Sequence, residues 1–135
     1  MFKYFKSSKQ DAFRLLVILC SDADVSLFQR AAVQRTNWNL ATAQNWDEAA
    51  PLLASSQFAV IVYDRDLPNR DWRQTVRDLT SFSPCILLAS KGVDSSLWQE
   101  VVQCGGHDVL AKPLEEQGVL KTIDQALRYT SAVKR

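Results

Sequence analysis

The sequence carries one carboxylate and one ammonium group in settings where they could act on a phosphoryl group. Asp64 is the first charge after the apolar run Phe58 to Tyr63, and Arg65, Asp66, Leu67, Pro68 and, a little later, Asp71 follow it. Lys112 closes the run Asp108 to Ala111 and precedes Pro113. A carboxylate at a strand end offers an oxygen nucleophile, and an ammonium beside it holds the oxygens of a transferred group. Such a transfer brings like charges together, so Mg²⁺ held by further oxygens normally offsets the repulsion. No clear metal cradle stands beside this pair. Taken alone, Asp64 also reads as the cap of a loop, and Lys112 as a surface lysine before a turn.

What would position them is an alternation of five short apolar runs with five segments of helical period. That is the pattern of a parallel sheet covered on both faces. Strands are expected at 14–20, 40–43, 58–63, 85–89 and 108–111. The first helix carries Val25, Leu27, Phe28, Ala31, Ala32 and Val33, with Asp22 or Asp24 as its cap. The second begins at Trp46 after Asn45, and Pro51 lies near enough its start to be tolerated. The third spans about 72–79; the fourth runs from Ser95 or Ser96 to Gln103, with Leu97, Trp98, Val101 and Val102 on one stripe and Gly105-Gly106 as its stop. The fifth spans 114–129, with an interruption near Gly118. Short connections force right-handed crossovers and hence a doubly wound sheet. Ligands of such sheets sit beyond the carboxyl ends of the strands, which here carry Cys20-Ser21-Asp22, Asp64, Ala89-Ser90 and Lys112-Pro113.

A chain of 135 residues suits one domain, with a core at about 13–129. The net charge of +1 and the even spread of Lys and Arg name no partner and argue against nucleic acid. The mildly basic ends, Lys3, Lys6, Lys9 and Lys134-Arg135, are expected to be solvated. The apolar run Leu15 to Cys20 falls far short of the roughly 20 residues of a membrane span, and no signal peptide precedes it, so no membrane is involved and the chain is expected in the cytoplasm. Cys20, Cys85 and Cys104 each sit in an apolar setting, with no Cys-x-x-Cys and a single histidine, His107. They read as buried reduced thiols rather than a zinc site, and His107 as a solvated loop residue.

With these elements in place, Asp64-Arg65-Asp66-Leu67-Pro68, Ala111-Lys112-Pro113 and the lead Gly105-Gly106-His107-Asp108 resemble the receiver domain of two-component response regulators, the family of the chemotaxis response regulator. The resemblance implies a flavodoxin-like α/β fold, a five-stranded parallel sheet of order 2-1-3-4-5 with five helices. It makes Asp64 the phosphoacceptor and Lys112 the phosphate-contacting lysine, joined to Pro113 by a cis peptide bond. It implies Mg²⁺ on Asp64, on the backbone carbonyl of Asp66 and on the acid left in the first loop, Asp22. The partners implied are a histidine kinase or phosphotransfer protein, and a downstream protein bound through the fourth helix, fifth strand and fifth helix. An exposed indole edge at Trp98 would mark that surface.

The sequence also departs from the family. The two acids expected at the end of the first strand are replaced by Cys20 and Ser21, with only Asp22 following. Ala89 stands where a phosphate-gripping hydroxyl is usual, with Ser90 next to it, and Val109 replaces the aromatic switch residue. The expected protein is therefore a stand-alone, atypical receiver that accepts phosphate on Asp64 and signals by protein contact, with no enzymatic activity beyond that self-phosphorylation. One alternative is a phosphorylation-independent pseudo-receiver. Another is a small nucleotide- or flavin-binding α/β protein, although none of the four glycines lies in a phosphate loop.

Overall fold

The structure, a computed structural model, describes residues 12–133, so the basic ends noted above lie outside the described residues. Strands β1 (Phe13–Ile18), β2 (Trp38–Ala43), β3 (Val60–Asp64), β4 (Ile86–Ser90) and β5 (Asp108–Ala111) alternate with helices α1 (Asp22–Val33), α2 (Trp46–Ser55), α3 (Trp72–Leu79), α4 (Ser95–Gln103) and α5 (Glu116–Val133). The strands form one parallel sheet in the order β2-β1-β3-β4-β5.

Side-chain alternation divides the core in two. Leu15, Val17, Val60, Val62, Leu87 and Leu110 point to one face and are covered by Val25 and Phe28 of α1 and Val119, Leu120 and Ile123 of α5. Leu16, Ile18, Ile61, Tyr63, Ile86 and Leu88 point to the other, under Leu53 of α2, Val76 of α3 and Leu97 of α4. The inner strands are apolar on both faces, which is why β1, β3 and β4 read as unbroken aliphatic runs.

Each of the first four helices starts at a polar cap whose side chain accepts a backbone N–H: Ser21 from Asp24, Asn45 from Glu48, Asp71 from Arg73 and Asp94 from Leu97. Each cap is worth about 1 kcal/mol. Ser21, and neither Asp22 nor Asp24, therefore caps α1, and the two acids lie in its first turn. β2 begins at Trp38 rather than Leu40, because Trp38 is buried in the α1–α5 layer and pairs with Phe13. The α4 stripe is narrower than its sequence suggests: Leu97 and Val101 are buried, whereas Trp98 and Val102 are exposed. α5 runs through Gly118 without a break, since that glycine faces open space while Val119 and Leu120 anchor the helix. Gly105 does end α4, with a φ of 97° that favours glycine.

Candidate functional site

Asp64 continues the face of β3 that carries Val60 and Val62, and Lys112, just past β5, continues that of Leu110. Both therefore turn toward the layer of α1 and α5, and the first turn of α1 stands over them. Lys112 Nζ donates to Asp64 Oδ2 at 2.8 Å and lies 3.3 Å from Asp24 Oδ2. The backbone N–H of Cys20 and its thiol both reach Asp64 Oδ2 at 3.3 Å. The N–H of Asp66 donates to Asp64 Oδ1 at 3.0 Å, inside the turn that Leu67 N–H closes on the Asp64 carbonyl. The Lys112-Pro113 peptide is cis.

The Asp64 side chain is 0% exposed and that of Lys112 only 7%. Burial by itself pushes the Asp64 carboxyl up, but the Lys112 ammonium and the Asp66 and Cys20 donors outweigh it and hold the group below its ordinary value. Lys112 shows the mirror image: burial pulls it down, and the two carboxylates hold it above its ordinary value. Burial and the facing Asp64 carboxylate raise the Cys20 thiol, which keeps it a donor rather than a thiolate. Cys20 is exposed, contrary to the buried thiol expected, because the chain leaves the sheet after Ile18 and only Leu19 still faces inward. Cys85 and Cys104 are buried as expected, and burial pushes the Cys85 thiol to about 12.

Not every expected residue reaches this point. The Asp22 carboxylate accepts from the Gln44 side chain, so the acid of the first loop that meets Lys112 is Asp24. Ala89 is the register partner of Asp64 and is fully buried, but offers only a methyl group. Ser90 turns to the opposite face with Ile86 and Leu88, where its hydroxyl accepts from Arg65 at 3.3 Å. Arg65 also lies over the Trp72 ring, pinning the loop after β3. Above the pair is a cleft of about 610 Å³ lined by Cys20, Ser21, Asp24, Asp66, Lys91, Lys112 and Pro113. Asp24 was expected as a helix cap and instead meets Lys112, set by its place three residues after the Ser21 cap; Lys91, which directly follows Ser90, went unassigned in the sequence.

The donor set does not fit the Mg²⁺ that the resemblance implies. A hard, octahedral cation needs free oxygens. The two places ahead of Asp22 hold a thiol and a hydroxyl that already caps α1, and both Asp64 oxygens face donors. Among the described residues no group of three or more His, Cys, Asp or Glu side chains is arranged to hold a metal ion.

Elsewhere, Trp98 and Val102 on α4 and Tyr129 on α5 are exposed. His107 is half-buried and stacks on Tyr129 with ring centres 4.2 Å apart, so it is a packing residue rather than a solvated one. Val109 is half-buried against the layer of α2, α3 and α4. No helix among the described residues is long and apolar enough to cross a membrane.

Comparison with known proteins agrees with this fold. The chemotaxis response regulator CheY4 of Vibrio cholerae superposes with a TM-score of 0.75 at 22% identity, over 86% of this chain and 99% of that one. The signal receiver domain of a LuxO repressor protein from Vibrio parahaemolyticus gives a TM-score of 0.80 at 15% identity, over 91% and 95%. In sequence, the chain is 24% identical over 118 residues to the transcriptional regulatory protein ResD of Bacillus subtilis, covering 86% of this chain and 49% of ResD. It is 26% identical over 119 residues to the transcriptional regulatory protein ZraR of Klebsiella oxytoca, covering 84% and 26%. The chain thus spans about half of one relative's length and a quarter of the other's. The response regulator receiver domain family matches residues 17–124, and the chain belongs to that family.

Proposed function

We propose that this receiver works as a protein-binding module of a two-component pathway whose Asp64 site is closed at rest, so that its contacts do not depend on phosphorylation. One observation carries the reading: Asp64 is fully buried, with the Cys20 N–H, the Cys20 thiol, Lys112 and the Asp66 N–H all directed at its oxygens. An incoming phosphodonor needs an accessible carboxylate oxygen; here Oδ2 carries Lys112 and both Cys20 donors, and Oδ1, which accepts only the Asp66 N–H, is buried with the rest of the side chain. The lack of a hydroxyl at Ala89 and the aliphatic Val109 support the same reading. The partners are a histidine kinase or phosphotransfer protein in the cytoplasm, and a downstream protein that meets the fourth helix, fifth strand and fifth helix, where Trp98, Val102 and Tyr129 offer apolar surface. Membership of the receiver family leaves the nucleotide- or flavin-binding alternative without support.

A second reading keeps Asp64 as a phosphoacceptor served by a histidine kinase. What favours it is Lys112, which is already within 2.8 Å of Asp64. Intact-protein mass after incubation with acetyl phosphate, with Asp64→Asn as control, separates the two. The closed site gives no phosphoryl adduct and leaves partner binding indifferent to Asp64→Asn. An adduct confined to the wild type, with binding altered by the substitution, establishes the second reading instead.

A further inference from the structure

Two carboxylates from different parts of the chain, Asp24 on α1 and Asp64 at the end of β3, converge on a single point, and that point holds Lys112 Nζ. A cation bridging Asp24 Oδ2 and Asp64 Oδ2 has to stand between them, where the ammonium lies 3.3 and 2.8 Å from the two oxygens. A divalent ion placed there would meet the ammonium at close range and have to strip the Cys20 N–H and thiol from Asp64 Oδ2. The surrounding charge offers little further pull. Around the cleft the carboxylates of Asp24, Asp64 and Asp66 face the ammonium groups of Lys91 and Lys112, leaving one net negative charge.

We propose that Lys112 is the resident cation of this site, that it takes the place of a divalent metal between Asp24 and Asp64, and that this receiver is formed and works without Mg²⁺. Asp24 is then a positioning residue, giving the ammonium its second carboxylate contact. The proposal also makes Lys112 an obstacle to metal. Removing it turns two carboxylates that share one ammonium into two with no cation at their common point, so the loss of one cation creates affinity for another.

The inference rests on reading the site as closed, but its test uses neither phosphodonor nor partner, so the two fail separately. Wild type, Lys112→Ala and Lys112→Ala/Asp24→Asn are titrated with Mg²⁺ to about 10 mM against a matched NaCl series, following the Cys20, Asp64 and Asp66 amide resonances and the Tm. The wild type is expected to show no saturable shift and no Tm change beyond the salt control. Lys112→Ala is expected to bind Mg²⁺ at least about tenfold more tightly than the wild type and to gain Tm with it, and Asp24→Asn is expected to remove that gain. Saturable millimolar binding at these amides in the wild type overturns the proposal, and so does a folded Lys112→Ala that gains nothing. Should Lys112→Ala stay unfolded at every Mg²⁺ concentration, Lys112→Gln, which keeps volume and a donor but not the charge, stands in its place, and the wild-type titration decides independently.

Discussion

At the carboxyl edge of the sheet, Asp64, Lys112 and Asp24 satisfy one another and withdraw from solvent. On α4 and α5, Trp98, Val102 and Tyr129 are left 46%, 43% and 41% exposed. The first region spends its polar groups on itself, and the second leaves apolar surface uncovered. On the function proposed above, that difference gives the charged edge to stability and the helical surface to partner binding. A buried charge costs free energy unless it is paired, whereas an exposed indole costs the fold little and offers a partner much.

The largest effect should come from breaking the charged edge. Lys112→Ala leaves Asp64 buried without its cation and is expected to cost about 3–5 kcal/mol, read from urea unfolding in Mg²⁺-free buffer; a loss below about 1 kcal/mol would place the pair in the class of surface bridges. On α4, Leu97→Ala is expected to cost about 2–4 kcal/mol, because Leu97 is buried against the α2–α4 layer. Its neighbour Trp98→Ala should stay within about 0.5 kcal/mol. Thermal melts of the two variants test whether the boundary between core and exposed surface runs between these adjacent residues.

The pH profile sharpens the comparison further. The folded Asp64 carboxyl is held below its unfolded value of about 3.9, so its contribution is present above that pH and lost as pH falls through the folded value. Lys112 is held above its unfolded value of about 10.4, so its contribution is present below that pH and lost as pH rises through the folded value. These two groups alone would hold stability between about pH 4 and pH 10, but the raised Cys20 and Cys85 thiols bring the start of the alkaline fall down to about pH 9. Asp64→Asn should flatten the acid limb, and Trp98→Ala should leave both limbs unchanged. The smallest effect at the edge is that of Cys20→Ala, expected to cost about 1 kcal/mol for one thiol hydrogen bond and measured by the same unfolding series.

Much of this architecture was legible in the residues. α3 at 72–79 and β5 at 108–111 coincide with the structure, because Asp71 caps one and the Gly105 turn sets off the other. Asp64 and Lys112 could be paired from strand ends alone, since a parallel sheet gathers those ends at one edge. The rest depended on tertiary placement. Asp22 and Asp24 lie two residues apart on a helix, about 200° around its axis, so only one can face the sheet. Which one does is set by how α1 docks through Val25 and Phe28. Cys20 looked like the last residue of an apolar run, yet the sheet ends at Ile18 and the thiol comes out at the mouth of the cleft. Pro51 lies inside α2 on its solvent side, tolerated as its place near the helix start suggested.

Strand alternation has one more consequence at β4. Ala89 faces Asp64 and Ser90 faces Arg65, so the chain carries a hydroxyl one residue away from where the site would use it. Sliding β4 by one position would deliver that hydroxyl, but on the other face it would also put Ala89 in the place of Leu88 and Lys91 in the place of the buried Ser90. Evolution therefore cannot recover the group by a shift in register or a single deletion. Only a change at Ala89 itself is open, which leaves the lineage one substitution from a phosphate-gripping side chain and gives the rest of the strand no part in the choice.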